Sequence, residues 1–229
     1  KPRVSQLASS VDADVASVYK SIYNAVGTPG TTPSTSLVLL QAQQKLNEFA
    51  TPMSPRYATV NPAANAGLVE GLKGLFNPTG TISRQFKNGM MGEGVLGLDE
   101  INMSQSIVQH TTGVTPTLPI VATAVSTQGS TSLAISFTSG SPTFKIGDVF
   151  TIASVYAVNP QTRQTTGSLQ QFVVTADVTV SSTTTATLTV QPPIYTATNA
   201  LATVDSFPAA SAVLTFLGGS ATAYPQHLI

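Results

Sequence analysis

Acid–base chemistry in this chain would have to use one of only two histidines, His110 and His227, and the sequence contains no cysteine. His110 could be drawn as a catalytic dyad with Asp99 or Glu100, because an imidazole beside a carboxylate can act as a general base. Asp99 and Glu100 are adjacent, however, so on a strand their side chains point to opposite faces and do not form a paired-carboxylate site. A histidine that ends a strand beside threonines is usually a surface residue, and we expect His110 to be one.

The other templates for catalysis and cofactor binding are missing as well. The G-x-S-x-G turn of serine hydrolases is absent. Without cysteine there is no disulfide, no thiolate nucleophile and no usual structural zinc site. The glycines after residue 88 lack the lysine and the strand-to-helix setting of a phosphate-binding loop; they are Gly89, Gly92, Gly94 and Gly97. The sequence therefore predicts no catalytic, cofactor-binding or metal-binding residue.

Three tyrosines offer one further kind of chemistry, which is stacking on sugar rings. Tyr156, Tyr195 and Tyr224 could line the groove of a carbohydrate-binding module. Such a module would show exposed tyrosine faces and a thermal stability that depends on glycans. Tyrosines in β modules more often belong to the core or its rim, and we favour that interpretation.

The composition limits the classes of partner. Hydrophobic residues make up 41% of the 229 positions and charged residues only 9%, with ten basic and ten acidic side chains. A net charge of zero argues against nucleic-acid binding by electrostatics, and it favours association over repulsion. No apolar run approaches the roughly 20 residues of a membrane span. We therefore expect assembly, with no sequence-specific nucleic acid and no membrane as partner.

The first 113 residues predict helices mixed with short strands. A long first helix, expected to end near Gly27, carries apolar residues at steps of three and four: Val4, Leu7, Ala8, Val11, Val15, Val18, Tyr19, Ile22 and Val26. A second helix is predicted from about Ser36, and its inner line is Leu39, Ala42, Leu46 and Phe49.

A third helix is predicted to begin at Asn61-Pro62, with asparagine as N-cap and proline at the first helical position. A short strand is predicted before it at 56–60, and Leu68, Leu72 and Leu75 mark one side of the helix. A helical turn is predicted at 82–88, and a continuous strand from Ile101 to His110.

From Val114 onward the composition changes, and threonine, serine and valine dominate. Strict alternation of apolar and polar residues at 133–137 and 186–190, with turn signals between the strands, is typical of an antiparallel sandwich or small barrel. Residues 143–176 predict its central hairpin. Asn159-Pro160 separates the two strands because proline has no amide proton to donate.

The pattern of residues in this hairpin resembles the insertion domain of tailed-phage major capsid proteins. The residues that carry the resemblance are Lys145-x-Gly147-Asp148-x-Phe150-Thr151-Ile152, Val155-x-x-Val158-Asn159-Pro160-x-Thr162 and Gly167-x-Leu169-Gln170-x-Phe172-Val173-Val174. The similarity is to the coat family of short-tailed phages, in which a capsid core of the Hong Kong ninety-seven type carries an extra β-barrel. The order of elements before residue 113 is also similar to that family.

The resemblance implies an α+β chain, in which a partial capsid core of helices and short strands is followed by an all-β antiparallel barrel or sandwich. The implied domains are 1–113 as capsid core with a spine helix and an axial-type region, 114–219 as the β-barrel insertion, and 220–229 as the return into the core. The ends of the insertion should meet where 113–119 approaches Gly218-Gly219. The chain is expected to be a fragment, without the N-terminal arm, the extended loop and the C-terminal strands of the family.

The resemblance further implies a structural protein, not an enzyme, that needs no cofactor. Such a subunit assembles with itself into hexamers and pentamers of an icosahedral shell around double-stranded DNA, with scaffolding and portal proteins as partners. Its location would be the virion capsid, after assembly in the bacterial cytoplasm. Some members carry a long charged loop early in the barrel that touches adjacent capsomers; here 126–130 is short and uncharged, so the resemblance does not extend to that contact. The alternative is a phage tail or surface β protein that binds carbohydrate through the barrel.

Overall fold

A computed structural model of the chain describes residues 2–71, 89 and 92–227. The helices in this part are α1 (Pro2–Ala16), α2 (Ser36–Glu48) and α3 (Pro62–Gly71), and a 3-10 helix (Ser17–Ser21) follows α1 directly. The strands are β1 (Tyr57–Val60), β2 (Gly92–Val95), β3 (Leu98–Met103), β4 (Gln109–Thr111), β5 (Ile120–Val121), β6 (Ser130–Ser136), β7 (Thr143–Phe144), β8 (Val149–Val158), β9 (Thr165–Val174), β10 (Val178–Thr179), β11 (Thr185–Ile194), β12 (Leu214–Phe216) and β13 (Ala223–Pro225). The predicted helical turn at 82–88, together with Leu72 and Leu75, lies outside the described residues.

The first helix is shorter than the sequence predicts. The 3-10 turn ends at Ser21, and Ile22 is already extended, with φ −92° and ψ 121°. Beyond this point a side chain from the barrel holds the backbone: the Gln171 amide accepts a hydrogen bond from the Ala25 N–H at 3.0 Å and donates one to the Ala25 carbonyl at 2.9 Å. These bonds occupy both backbone groups that a longer helix would use at Ala25.

A small hydrophobic core joins α2 and α3 to a three-stranded sheet. In this sheet β3 lies between β1, which runs parallel to it, and β2, which runs antiparallel. The core residues are Leu39, Ala58, Val60, Ala64, Leu68, Leu98 and Ile101. The Asn61 side chain accepts a hydrogen bond from the Ala64 N–H at 2.7 Å, which confirms asparagine as the N-cap of α3.

The prediction of one continuous strand from Ile101 to His110 is wrong, because the structure divides this segment into β3 and β4. The chain turns at Ser104, whose hydroxyl accepts a hydrogen bond from the Ser106 N–H at 3.1 Å. Such a local side-chain bond competes with the sheet ladder. After the turn β4 pairs with β13, placing His110 opposite Tyr224.

The β-rich part of the chain forms a barrel in the strand order β12-β8-β9-β11-β6-β5. Every pair in it is antiparallel. The first and last strands meet through the bridge between Ile120 and Val213, and Leu214 N–H donates to the Pro119 carbonyl at 2.9 Å. Closure removes the free edges that would otherwise pair with other chains. The predicted α+β class with an antiparallel β insertion is confirmed.

The barrel interior is filled by aliphatic side chains and a group of phenylalanines. Phe150 contacts both Phe172 and Phe216, with ring centroids 5.8 and 5.2 Å apart, and Phe144 packs on Phe216 at 5.6 Å. Phe144, Phe150 and Phe172 are almost completely buried. Three of these four residues lie in the predicted hairpin 143–176, which the structure confirms as the centre of the barrel core.

Candidate functional site: the junction between the helical region and the barrel

His110 is buried where the helical region meets the barrel, and only 3% of its surface is exposed. Its Nε2 lies 2.9 Å from Asp148 Oδ1, and its Nδ1 lies 3.1 Å from the Tyr19 hydroxyl. The expectation of a surface histidine is therefore wrong. The dyad with Asp99 is also absent, because the Asp99 carboxylate accepts the Arg56 N–H at 2.7 Å instead.

Asp148 is the centre of this junction. Besides the bond to His110, its carboxylate accepts the Gly113 N–H at 3.1 Å and the Lys145 N–H at 2.7 Å. Only 4% of Asp148 is exposed. A buried carboxylate is stable only when hydrogen bonds replace its lost hydration, and three separate donors do so here.

The turn that presents Asp148 requires a glycine at position 147. Gly147 has φ +98°, a conformation that side chains with a Cβ rarely adopt. A Cβ there would also lie 3.1 Å from His110 Cε1 and 3.3 Å from Tyr19 Cε2. The Gly147-Asp148 pair in the motif is thus explained by a close approach between the barrel and the helical region.

Two tyrosines complete the junction. Burial, together with the Asp148 charge, raises the pKa of Tyr19, whose hydroxyl lies beside His110 Nδ1. The Asp148 carboxylate accepts the hydrogen bond from His110 Nε2 on the other side of the ring. Tyr224 packs edge-on against the His110 ring at 5.7 Å, and burial, then the Asp148 and Tyr19 charges, raise its pKa to about 12.

Tyr19, His110 and Asp148 resemble a catalytic triad in their order of hydrogen bonds, but the arrangement is closed. Tyr19 is 7% exposed and its hydroxyl is committed to the imidazole. A cavity of about 490 Å³ opens beside the cluster and is lined by Tyr19, Gly147 and Tyr224, but His110 and Asp148 do not line it. What the cluster can do is hold the barrel on the helical region.

Two further contacts connect the barrel to the helical region. The Gln171 amide pairs with both backbone groups of Ala25. The Asn159 side-chain amide donates to the Glu48 carbonyl at 2.7 Å, which satisfies a free carbonyl at the C-terminal end of α2. Asp148 and Asn159 belong to the sequence pattern, and Gln171 occupies one of its unspecified positions. The segment 145–174 that contains the pattern therefore also forms the docking face of the barrel.

The chain enters and leaves the barrel through one antiparallel ribbon, β4 with β13. The Thr112 hydroxyl donates to the Gly219 carbonyl at 2.6 Å, and Ala221 N–H donates to the Gly113 carbonyl at 3.0 Å. The prediction that the two ends meet near Gly113 and Gly219 is confirmed by these bonds.

The other residues considered for chemistry lie apart from one another. Tyr224 is buried in the junction, Tyr195 is partly buried over Gly129, and Tyr156 is 37% exposed on β8. Gly94 and Gly97 lie in and beside β2, in the turn that leads into β3. Among the described residues, no group of three potential metal ligands occurs. Within the same ranges, no helix combines the length and apolar character that a membrane crossing requires.

The closed barrel is therefore seated on the helical region by buried polar contacts. Residues 1–224 match the family model described as "P22 coat protein - gene protein 5", and the chain belongs to this family of bacteriophage coat proteins. Among solved structures the chain is similar to the "CUS-3 coat protein I-domain", with 29% identity over 46% of this chain and 98% of that chain and a TM-score of 0.34. No curated protein matches the chain.

Membership of this family establishes a structural role in a phage capsid. The chain is a self-assembling coat protein, its location is the virion capsid, and a structural rather than an enzymatic function follows from the family. The predicted resemblance to tailed-phage major capsid proteins is confirmed.

His227, the second histidine, connects the segment after β13 to α3. Its Nδ1 accepts a hydrogen bond from the Asn61 N–H at 3.4 Å, next to the N-terminus of α3. Burial lowers the pKa of His227. The neutral ring is therefore the form that the fold favours, since an imidazolium cannot accept this bond and would face the positive end of the helix dipole.

We expect the stability of the protein to fall as the pH decreases below the ordinary histidine pKa of about 6.5. Because His227 takes up its proton more readily in the unfolded chain, its contribution is complete above that pH and is lost as the pH falls through the folded pKa. Urea unfolding of the wild type and of His227→Gln at pH 7.5 and 5.5 measures the change in the free energy of unfolding between the two pH values. The variant should lose less stability on acidification; an equal loss in both proteins would contradict the assignment.

Proposed function

We propose that this chain is the major capsid subunit of a tailed bacteriophage or prophage, which assembles as hexamers and pentamers into the icosahedral shell around double-stranded DNA. The observation that carries the proposal is the junction, in which the barrel segment 145–174 contacts three separate parts of the helical region. These are the 3-10 helix, which packs against β9 and, through Tyr19, against Gly147, the segment after it through Ala25, and the end of α2 through Glu48.

The proposed domains are 1–113 as capsid core, 114–219 as inserted barrel and 220–229 as the return into the core. Two separate hydrophobic clusters support this division, one around Leu39 to Ile101 and one around Val121 to Leu214. The ribbon of β4 and β13 supports it as well, because an inserted unit needs its two ends side by side.

The barrel stabilises the subunit and helps to set the geometry of the capsomer. It binds the 3-10 helix and the segment after it, which contribute no residue to the small core of the helical region, and it also binds the end of α2, which does. The angle at which subunits meet depends on the relative positions of these elements. Small shifts at the junction would therefore change the curvature of a shell.

Scaffolding and portal proteins are the proposed partners besides the subunit itself, and assembly takes place in the bacterial cytoplasm. A container for DNA requires no base-specific contact, and the net charge of zero agrees with that. A neutral, charge-poor surface also suits the many weak interfaces from which a shell is built. No observation specifically favours the carbohydrate-binding alternative, since Tyr224 is buried.

Negative-stain electron microscopy of the coat protein expressed in bacteria tests the proposal. We expect regular closed shells from the wild type, and insoluble or misassembled protein after deletion of residues 145–176. Regular shells from the deletion variant would contradict the stabilising role of the barrel. A wild-type protein that stays dispersed at every concentration would contradict the role as shell subunit.

A further inference from the structure

A glutamine lies inside the barrel, among the apolar side chains of its core. Gln170 is completely buried, with 0% of its surface exposed. By the alternation of β9 it shares the inner face with Phe172 and Val174, which belong to the barrel core. Buried polar side chains are nearly always hydrogen-bonded, so both polar atoms of this amide require partners.

Only one end of the Gln170 amide has a partner within the protein. Its Nε2 donates to the Gln171 carbonyl at 2.6 Å. Its Oε1 is buried and accepts no hydrogen bond from any of the described residues. Exchanging the two atoms of the amide does not solve this, because an oxygen would then face the Gln171 carbonyl and two acceptors cannot bond. The buried oxygen therefore requires a donor other than these residues.

The ladder between β8 and β9 is interrupted at Gln170. On β9 the paired residues are the two neighbours of Gln170, but on β8 they are Thr151 and Tyr156, five positions apart. Residues 152–155 therefore form a bulge in β8 that faces Gln170 alone. Within the bulge Ser154 has φ +63°, which residues other than glycine rarely adopt. A bulge leaves backbone groups of the longer strand without a cross-strand partner.

The bulge is held on its other side, by β12. The Ala153 N–H donates to the Val213 carbonyl at 2.9 Å. Ile152 and Val155 at the ends of the bulge are buried in the barrel core, whereas the two residues between them are exposed. The side of the bulge toward β9 has no paired residue. The buried amide oxygen and this part of the backbone thus lie next to each other in the barrel wall.

We propose that the barrel binds one buried water molecule between Gln170 Oε1 and the backbone of residues 152–155. The water donates one hydrogen bond to Oε1 and bonds to the backbone of the bulge, so it replaces the ladder that the bulge interrupts. Buried waters typically make about three hydrogen bonds to polar groups that would otherwise stay unsatisfied. The site lies wholly within the barrel, so it does not depend on the shell-building role proposed above.

A crystal structure of the unaltered chain that resolves ordered water tests the site directly. We expect density for one water about 3 Å from Gln170 Oε1, in contact with the backbone of residues 152–155. A protein N–H that donates to Oε1 in place of the water would overturn the proposal. The absence of density beside this oxygen would overturn it as well.

Gln170→Leu gives a second test in solution, because a bound water and an unsatisfied oxygen predict changes of opposite sign. Leucine removes the amide at similar volume. If water completes the site, the variant leaves the backbone of the bulge without a partner, and the melting temperature should fall by about 4 °C or more. If the oxygen is unsatisfied, leucine removes a buried polar penalty. The melting temperature should then rise, which would contradict the proposal.

The matched control is Gln164→Leu. Gln164 directly precedes β9 and is exposed, so the same substitution there should shift the melting temperature by less than about 2 °C. The crystal structure uses the unaltered chain, and it therefore decides the proposal even where Gln170→Leu does not fold.

Discussion

Replacing Asp148 by alanine is expected to lower the free energy of unfolding by about 3–5 kcal/mol, among the largest effects of any single change in this chain. The substitution removes the acceptor of the His110 Nε2–H, the Gly113 N–H and the Lys145 N–H at once. Each donor then stays buried without a partner, and each costs about 1–3 kcal/mol where water cannot reach it. Because the surrounding structure relaxes partly, the loss of stability is smaller than the sum of these three penalties.

Equilibrium unfolding in urea, followed by circular dichroism, measures the change. The matched control is Asp12→Ala, which removes an exposed aspartate from α1 and should change the stability by less than about 0.5 kcal/mol. Asp148→Asn should be nearly as harmful as the alanine variant, because the amide nitrogen would face one of the three donors. If Asp148→Ala and Asp12→Ala unfolded at the same urea concentration, the junction would not hold the barrel.

Gly113→Ala is expected to destabilise the protein by about 3 kcal/mol or more, through overpacking where the chain enters the barrel. A Cβ at this position would overlap the Thr143 carbonyl oxygen and lie 2.9 Å from Asp148 Oδ2. The carbonyl belongs to the backbone of β7, so a rotation of a side chain cannot make room. Either the ribbon of β4 and β13 or the barrel must shift.

Gly30→Ala is the control for Gly113→Ala. Gly30 has φ +83°, but a Cβ there would meet nothing within 4 Å. The change should therefore cost only the backbone strain of about 1–2 kcal/mol. Thermal unfolding of the two variants measures the difference in melting temperature. If Gly113→Ala were as stable as Gly30→Ala, the Thr143 carbonyl would not lie close enough to Gly113 to exclude a Cβ.

The hairpin at the centre of the barrel could be predicted from the sequence because its signals are local. Alternation of apolar and polar residues marked β6 and β11, and Asn159-Pro160 marked the end of β8 before the chain returns as β9. The N-cap of α3 was predictable for the same reason, since Asn61 contacts an amide three residues away. Such signals act within a few residues and need no knowledge of the fold.

The junction could not be predicted in this way, because its partners are far apart in the chain. His110 and Asp148 are separated by 38 residues, and Gln171 is separated by 146 residues from the Ala25 backbone that it binds. Local rules assigned His110 to the surface and continued the first helix through Ala25. The one available signal was the Gly147-Asp148 pair, whose glycine indicates a tight turn but does not name the residue that the turn approaches.

The central claim is that each copy of this chain is a shell subunit whose barrel is seated on the helical region through Tyr19, His110 and Asp148. A cryo-electron microscopy map of the particles formed by the coat protein tests it most directly. We expect one barrel for every subunit, with continuous density between the Asp148 turn and His110. Particles whose repeating subunit lacks the barrel, or whose barrel lies away from β4 and the 3-10 helix, would contradict the account.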